Sequence, residues 1–157
     1  MIIRPYSTAD EAQIDECIIE LQEAERLLEP LMAPGEQVVE GYIENLLAEC
    51  ESSGGEVFVA ELDEQVAGYV AIYTHVRPND PDEGDYEYAY LSDIVVRATF
   101  QRRGVGRALM DHAEAFVRAR GATLLRIQVL ARNTAALDLY TSAGFRPREI
   151  LLEKDLA

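Results

Sequence analysis

The run from Ile94 to Leu109, IVVRATFQRRGVGRAL, constrains this chain more than any other segment. Ile94, Val95 and Val96 read as the apolar end of a strand. A polar loop follows. Gly104 and Gly106 then stand at the mouth of a helix carrying Val105, Leu109, His112 and Phe116, which Gly121 ends. A helix start holds free N–H donors and the positive end of a dipole, so it binds phosphate groups. Glycine there lets a backbone meet a bulky anion without a Cβ in the way. Arg102, Arg103 and Arg107 add positive charge. Two nucleotide motifs do not fit. The Gly-Lys-Ser/Thr of a P-loop is missing, and Leu109 stands where a dinucleotide fingerprint needs its third glycine. The plain alternative is a glycine-rich helix start with surface arginines.

Periodicity orders the rest. Ile2-Ile3 opens a short strand, and Ser7 to Asp10 reads as a helix start. Ile14, Ile18, Leu21 and Leu28 recur at helical spacing until Pro30 and Pro34-Gly35 break the helix. A second helix carries Val39, Tyr42, Ile43, Leu46, Leu47 and Cys50. Strands over Val57 to Leu62 and Val66 to Val76 flank a tight Asp63-Glu64 turn. A third strand runs from Tyr86 to Val96, and another from Leu124 to Leu130. A short helix from Thr134 to Ala143 precedes Gly144, and Phe145 and Ile150 to Leu152 read as final short strands. The order β-α-α-β-β-β-α-β-α-β predicts a mixed sheet with helices on both faces. With 157 residues and no linker, one domain over 1–157 is expected.

Charge is unevenly spread. Residues 1–93 hold 3 basic and 23 acidic side chains, a balance of −20. Residues 94–157 hold 11 basic and 6 acidic ones, a balance of +5. The second part tolerates an anion and the first favours a cationic partner. The total of −15 disfavours non-specific nucleic-acid binding. No apolar run reaches the length of a membrane span, and the first residues lack the apolar core of a signal peptide. Cys17 and Cys50 have neither metal-ligand nor disulfide-framework spacing, and no metal site is expected. These features point to a reducing, cytoplasmic setting.

A second segment, Asn133 to Phe145, is independent of the first. Residues seven apart on a helix lie about 20° from alignment, so Asn133 and Tyr140 share a face. Taken alone, this pair reads as a helix cap and a core aromatic. Together the two segments resemble the GNAT superfamily of acyl-CoA-dependent N-acyltransferases. QRRGVG matches the family's Gln/Arg-x-x-Gly-x-Gly/Ala phosphate signature. Asn133, Ala136, Leu139, Tyr140, Gly144 and Phe145 match its Asn-x-x-Ala-x-x-Leu-Tyr-x-x-x-Gly-Phe pattern. The resemblance covers Tyr88 to the C-terminus well. Upstream it rests on element order and on Ala67-Gly68-Tyr69.

The resemblance implies an α/β (α+β) fold with a central, mixed and mostly antiparallel sheet whose strands splay at an acetyl-CoA site. Gln101, Arg102, Arg103, Gly104, Val105, Gly106 and Arg107 would bind the coenzyme A pyrophosphate. The main chain of Ile94, Val95 and Val96 would bind the pantetheine arm, with Asn133 and Tyr140 completing the cofactor site. Acetyl would pass from acetyl-CoA to a primary amine. Tyr140 would donate to the departing sulfur, and the N–H near Val95 to the oxyanion. Some relatives, the ribosomal-protein acetyltransferases among them, place a glutamate base five residues before the motif asparagine. Here that residue is Gln128, which cannot accept the proton. Asp93, Glu87 and Asp85 are the other carboxylate candidates, in that order for the first two, and a water chain is an alternative. Strand alternation puts Glu87, Leu91, Asp93 and Val95 on one face, unless a bulge shifts the register. Tyr90-Leu91-Ser92-Asp93 resembles a strand of polyamine and aminoglycoside acetyltransferases. The acidic, tyrosine-rich loop from Asn79 to Tyr90 fits recruitment of a small cationic amine. A protein or peptide amine, or a non-catalytic acyl-CoA-binding role, are the alternatives. Homodimers are common in the family, so a homodimer is one expectation here.

Overall fold

The structure is a computed structural model that describes residues 1–156. Strand β1 (Ile2–Pro5) leads through a 3₁₀ turn at Thr8–Asp10 into helix α1 (Glu11–Arg26). Helix α2 (Gly35–Val38) is a single turn, and α3 (Tyr42–Ser53) follows. Strands β2 (Glu56–Leu62), β3 (Gln65–Val76) and β4 (Tyr88–Val96) come next. Then come α4 (Val105–Ala119), β5 (Leu125–Ile127) and α5 (Thr134–Ser142). The five strands lie in sequence order in one sheet. Neighbours are antiparallel except β4 and β5, which are parallel. The expected mixed and mostly antiparallel sheet is the one found.

Each face of the sheet carries its own core. Ile14, Cys17 and Ile18 of α1 and Ile43, Leu46 and Cys50 of α3 pack on Val57, Val59, Tyr69 and Ala71. On the other face Val105, Leu109, Met110 and Ala113 of α4 meet Phe58, Val70, Ile72 and Leu91, and Tyr140 of α5 joins them. Each large aliphatic side chain removed from water contributes on the order of 2 kcal/mol. Burial of these stripes, more than helix propensity, therefore holds the helices on the sheet. The predicted Asp63-Glu64 turn is present, with both residues at positive φ (54° and 61°). That backbone matches the twist of a two-residue hairpin.

Two irregularities shape the site. Ala71 pairs with Asp93 but Ile72 pairs with Leu91, so Ser92 is an extra residue in β4. This bulge corrects the expected alternation. Leu91 faces the α4 core, whereas Val95 joins the α1/α3 core, and Asp93 lies an even step from Val95. The second irregularity is a divergence. β4 and β5 pair only at Ala89–Leu125, Tyr90–Arg126 and Leu91–Ile127. From Asp93 to Val96, β4 pairs with β3 on one side, and no described β5 residue pairs with it on the other. Gly68, opposite Val96, permits the close approach of β3 here, because a Cβ on it would lie 2.2 Å from the Val95 carbonyl oxygen.

Several element boundaries differ from expectation: β4 starts at Tyr88 and not Tyr86, and the second helix starts at Tyr42, with Val39 left at the end of the separate turn α2. α1 ends at Arg26, before the prolines, and the strand expected over Leu124 to Leu130 shortens to three residues where it leaves β4. The final strands expected at Phe145 and Ile150 to Leu152 are not formed among the described residues. Phe145 packs beside Tyr140, with ring centroids 6.0 Å apart. Pro147 removes a ladder donor, Arg148 is ion-paired to Glu83, and Leu151 is 93% exposed.

Before α1, Asp10 is buried and ties the chain entry together. It accepts both Arg4 guanidinium nitrogens at 2.8 Å, with the Ser7 N–H at 2.9 Å and the Ser7 hydroxyl at 3.1 Å. The Arg4 hydrogen bonds hold its carboxyl down at about 2. A lowered folded-state value means stabilisation that is full above the ordinary carboxyl range and lost as pH falls through about 2. Asp10→Asn is expected to cost about 2 kcal/mol at pH 7 by urea unfolding. The wild-type and variant stabilities should converge below pH ~2. A constant gap across that range would rule out ionised Asp10 as the source.

Candidate active site

The segment expected to bind phosphate opens on a glycine cap. Gly104 caps α4 with φ +82°, in the left-handed region. Arg102 also has a positive φ, at 61°. The Ala108 N–H bonds to the Gly104 carbonyl at 3.0 Å, so the amides of Gly104, Val105, Gly106 and Arg107 belong to the open first turn. A Cβ on Gly104 would meet nothing within 4 Å, whereas one on Gly106 would lie 3.3 Å from Leu139 Cδ2. The two glycines therefore differ. Gly104 supplies an unusual backbone beside open space, and Gly106 lets α4 approach α5. Val105 is buried as the first apolar anchor of α4.

The loop before this helix start is braced from within. The Gln101 side-chain amide donates to the Val96 carbonyl at 3.3 Å. Arg103 pairs with Asp63 at 3.0 Å, and Arg107 pairs with Asp111 at 2.8 Å. Arg97 binds Glu16 and Glu20 of α1 at 2.6 and 3.3 Å. The last strand residues, Ile94 to Val96, thus run from the splay into a fixed turn, and Arg102 is exposed beside it. A narrow extended ligand with an anionic end is what the sequence expects along this track. Its arm would lie along the open β4 edge and its anion at the start of α4.

Asn133 and Tyr140 stand at the start and near the end of α5. Asn133 caps α5 by accepting the Ala136 N–H at 3.1 Å, which is the plain role its position allows. Tyr140 is 8% exposed, and burial pushes its phenol up to about 12, helped by the charges of Glu25 and Asp93. Its hydroxyl has no hydrogen-bond partner among the described residues and is not sealed in, so it is open to a ligand.

Asp93 is 8% exposed and accepts hydrogen bonds from the Tyr42 hydroxyl at 3.0 Å and the Tyr69 hydroxyl at 2.9 Å. Burial raises its carboxyl above the ordinary range, and the two hydroxyls oppose that rise. Glu87 lies six residues earlier, about 20 Å along an extended strand. It is bound by His75 at 3.0 Å and Arg77 at 2.9 Å, which hold its carboxyl below the usual range. Asp85 pairs with Arg77 at 3.3 Å, and Glu83 is tied to Tyr86 and Arg148. The acids of the 79–90 loop named here therefore serve internal cations, and Asp93 alone of the carboxylate candidates stands near Tyr140. Tyr42, Tyr69 and Glu25 carry no motif. An open groove of about 440 Å³ lies between the end of α3 and strands β3 and β4. Glu49, Ser53, Arg77 and Tyr88 line it, and the Tyr73–Tyr90 pair, 6.2 Å between centroids, forms a further wall.

Comparison with known proteins bears on the family and the fold. Residues 19–145 match the acetyltransferase (GNAT) family. The [ribosomal protein bS18]-alanine N-acetyltransferase of Salmonella typhimurium is 44% identical over 62 residues, 40% of this chain and 42% of that protein. Streptothricin acetyltransferase of Streptomyces lavendulae is 33% identical over 99 residues, 62% of this chain and 48% of that protein. The chain thus spans less than half the length of these two relatives. A mutant of the BH1408 protein from Bacillus halodurans shares the fold over the whole of both chains, with a TM-score of 0.80 and 23% identity. An aminoglycoside antibiotic 6′-N-acetyltransferase from Acinetobacter haemolyticus does so over 100% of this chain and 99% of that one, with a TM-score of 0.70 and 19% identity. The match over residues 19–145, on a chain with a glycine-capped α4 start and a splayed β4 edge, leads to one conclusion: the chain belongs to the acetyltransferase (GNAT) family.

Proposed function

We propose that this chain is an N-acetyltransferase that moves an acetyl group from acetyl-CoA to a small cationic primary amine. One observation carries the reading. The α4 start is open, β4 is unpaired by β5 beyond Leu91, and the charge of buried Asp93 acts on a Tyr140 hydroxyl that no described residue engages. The residues fit acetyl-CoA as co-substrate. Amides from Gly104 to Arg107 would hold the pyrophosphate, with Arg102, Arg103 and Gln101 around it. The main chain of Ile94 to Val96 would hold the pantetheine arm, and Asn133 would fix the α5 start beside it. The thioester supplies the acyl carbon, and the amine attacks it directly. Both cysteines are buried, and burial pushes Cys17 up to about 12 and Cys50 up to about 11, so neither is a thiolate at neutral pH.

An ammonium has no lone pair and must lose a proton before attack. Asp93 is the proton acceptor in this reading, because burial raises its carboxyl toward a useful range while two tyrosines fix its orientation. A main-chain N–H near Val95, on the β4 edge that β5 leaves open, would stabilise the oxyanion. Tyr140 acts as a hydrogen-bond donor to sulfur. Its phenol at about 12 lies well above a thiol at about 8.5, so full proton transfer would run about 5 kcal/mol uphill.

Two relatives carry names that point to different acceptors, streptothricin and a ribosomal-protein alanine. Gln128 in place of the glutamate of the ribosomal enzymes favours the small amine. The 44% identity to the bS18 enzyme keeps a peptide amine as a second reading. Thiol release from acetyl-CoA separates them on a panel of polyamines, aminoglycosides, amino acids and free N-terminal peptides. Turnover on polyamines or aminoglycosides, with KM rising as salt is added, is the expected result. Turnover on peptides alone would select the second reading. Coenzyme A binding with no turnover on any amine would make the chain a binding module.

A further inference from the structure

Asp93 is 8% exposed, and tyrosine hydroxyls cover both of its carboxyl oxygens. The Tyr42 hydroxyl lies 3.0 Å from Oδ1 and 3.0 Å from Oδ2, and the Tyr69 hydroxyl lies 2.9 Å from Oδ2. The two tyrosines differ in access. Tyr69 stands on β3 opposite Val95 and is 0% exposed. Tyr42 is the first residue of α3, set by the left-handed Gly41 cap with φ +70°, and it is half-buried. Of the two side chains that hold the carboxyl, only Tyr42 therefore has surface in contact with solvent. A proton moving between the surface and Asp93 has one route through a tyrosine hydroxyl, that of Tyr42.

The chemistry of a hydroxyl suits this place. It donates one hydrogen bond and keeps two lone pairs as acceptors. Tyr42 gives its proton to Asp93, and no described residue donates to its oxygen. That oxygen can accept from an ammonium while its own proton points at the carboxylate. Burial and the charge of Asp93 push the Tyr42 phenol well above its ordinary value, so a free tyrosinate does not form. Tyr42 can therefore carry a proton only by receiving one as it gives one up. The position along the strand also fits. The last pair of β4 with β5 is Leu91–Ile127, so Asp93 stands just past the point where the two strands part.

We propose that Tyr42 is a proton relay: its hydroxyl takes a proton from the acceptor's ammonium while it passes its own to Asp93. The inference rests on the acetyltransferase reading above, with Asp93 as the final acceptor. One N–H bond and the Tyr42 O–H bond break, and a new Tyr42 O–H bond and an Asp93 O–H bond form. The products are an amine with its lone pair free, an unchanged phenol and a carboxylic acid. After the amine attacks the thioester, a second nitrogen proton ends on the departing sulfur as the thiol. Asp93 then returns its proton to water through Tyr42. Tyr69 is a positioning residue, which orients the carboxyl from the buried side.

The test compares wild type with Tyr42→Phe on two acceptors, propylamine and 2,2,2-trifluoroethylamine. Propylamine reaches the site as an ammonium. The fluorinated amine is largely neutral at neutral pH and needs no relay. By thiol release from acetyl-CoA, kcat/KM for propylamine should fall at least about 30-fold in the variant, and that for the fluorinated amine should stay within about threefold. Coenzyme A affinity should stay within about twofold, because phenylalanine keeps the ring. In parallel, the Asp93 carboxyl carbon is titrated by NMR in the free protein. Loss of one hydrogen bond to the ionised form should move its midpoint up by about one pH unit. Glu25 of α1, Cys50 of α3, Tyr73 of β3, Tyr90 of β4 and Tyr140 of α5 also interact with the Asp93 charge, and none is a cation. Glu25 is a carboxyl too, so the Asp93 carbon is read directly. An equal fall on both amines would make Tyr42 structural and overturn the relay, as would an unchanged rate on propylamine or an unmoved Asp93 midpoint. Failure of wild type to acetylate either amine would instead overturn the small-amine acetyltransferase reading, and the titration would still judge the Tyr42–Asp93 bond that the relay needs.

Discussion

Gly104→Glu is expected to raise the dissociation constant for coenzyme A by at least about 100-fold. The backbone sets the stage for this effect. Gly104 holds φ +82° at the cap of α4, and a Cβ there would meet no protein atom within 4 Å. A side chain therefore fits sterically but points into the space where an anion would sit. Forcing an L-residue into this conformation costs about 1 kcal/mol by itself. The charge matters more. Two like charges about 4 Å apart repel by about 4 kcal/mol at the effective dielectric of a protein surface. Gly104→Ala isolates the backbone cost, and it should weaken binding by about tenfold or less. Calorimetric titration of coenzyme A into the three proteins checks the ordering. Binding by Gly104→Glu within threefold of wild type would move the pyrophosphate away from this helix start. The same change at Gly106 is a worse test, because Gly106 packs on Leu139 and its loss would disturb α4 and α5 together.

The site was legible in the sequence where a short, local rule determines geometry. A helix start after an apolar strand end needs little besides its own residues, and Gln101 to Arg107 fold accordingly. The hairpin at Asp63-Glu64 and the Asn133 cap are local in the same sense. What escaped depends on residues far away in the chain. The bulge at Ser92 has no glycine to mark it, and it arises from how β4 must pair with β3. It nevertheless decides which face receives Asp93. Glu87 and Asp93 look equivalent as carboxylates on one strand, yet His75 and Arg77 claim the first and Tyr42 and Tyr69 orient the second. Such partners lie 10 to 51 residues away, beyond any motif. The apolar triplet Ile150 to Leu152 shows the reverse error, because hydrophobicity reads as a strand even where no ladder forms.

Tyr140→Phe should lower kcat by about 10²- to 10³-fold while leaving coenzyme A affinity within about twofold, and the structure explains why the two quantities separate. The ring is part of the fold. It packs in the α4 core beside Phe145, and phenylalanine preserves that contact. The hydroxyl is not part of the fold, because no described residue hydrogen-bonds to it. Removing it leaves no buried partner unsatisfied, so stability should change by less than about 0.5 kcal/mol. Only a group that appears during the reaction can miss it, and the departing sulfur is that group in the proposed mechanism. Loss of one donor aimed at developing charge typically costs 10²- to 10³-fold. The phenol at about 12 also sets the pH dependence. Its folded value is raised, so the donor proton is present across the neutral range and is lost only as pH climbs through about 12. A wild-type rate limited by this donor should therefore not fall between pH 7 and 10 on account of Tyr140. The rise at lower pH should follow a carboxylate, and it should survive in Tyr140→Phe with its midpoint unmoved. A variant as active as wild type would remove Tyr140 from the chemistry. A variant that lost coenzyme A affinity in step with kcat would make it a wall of the binding site.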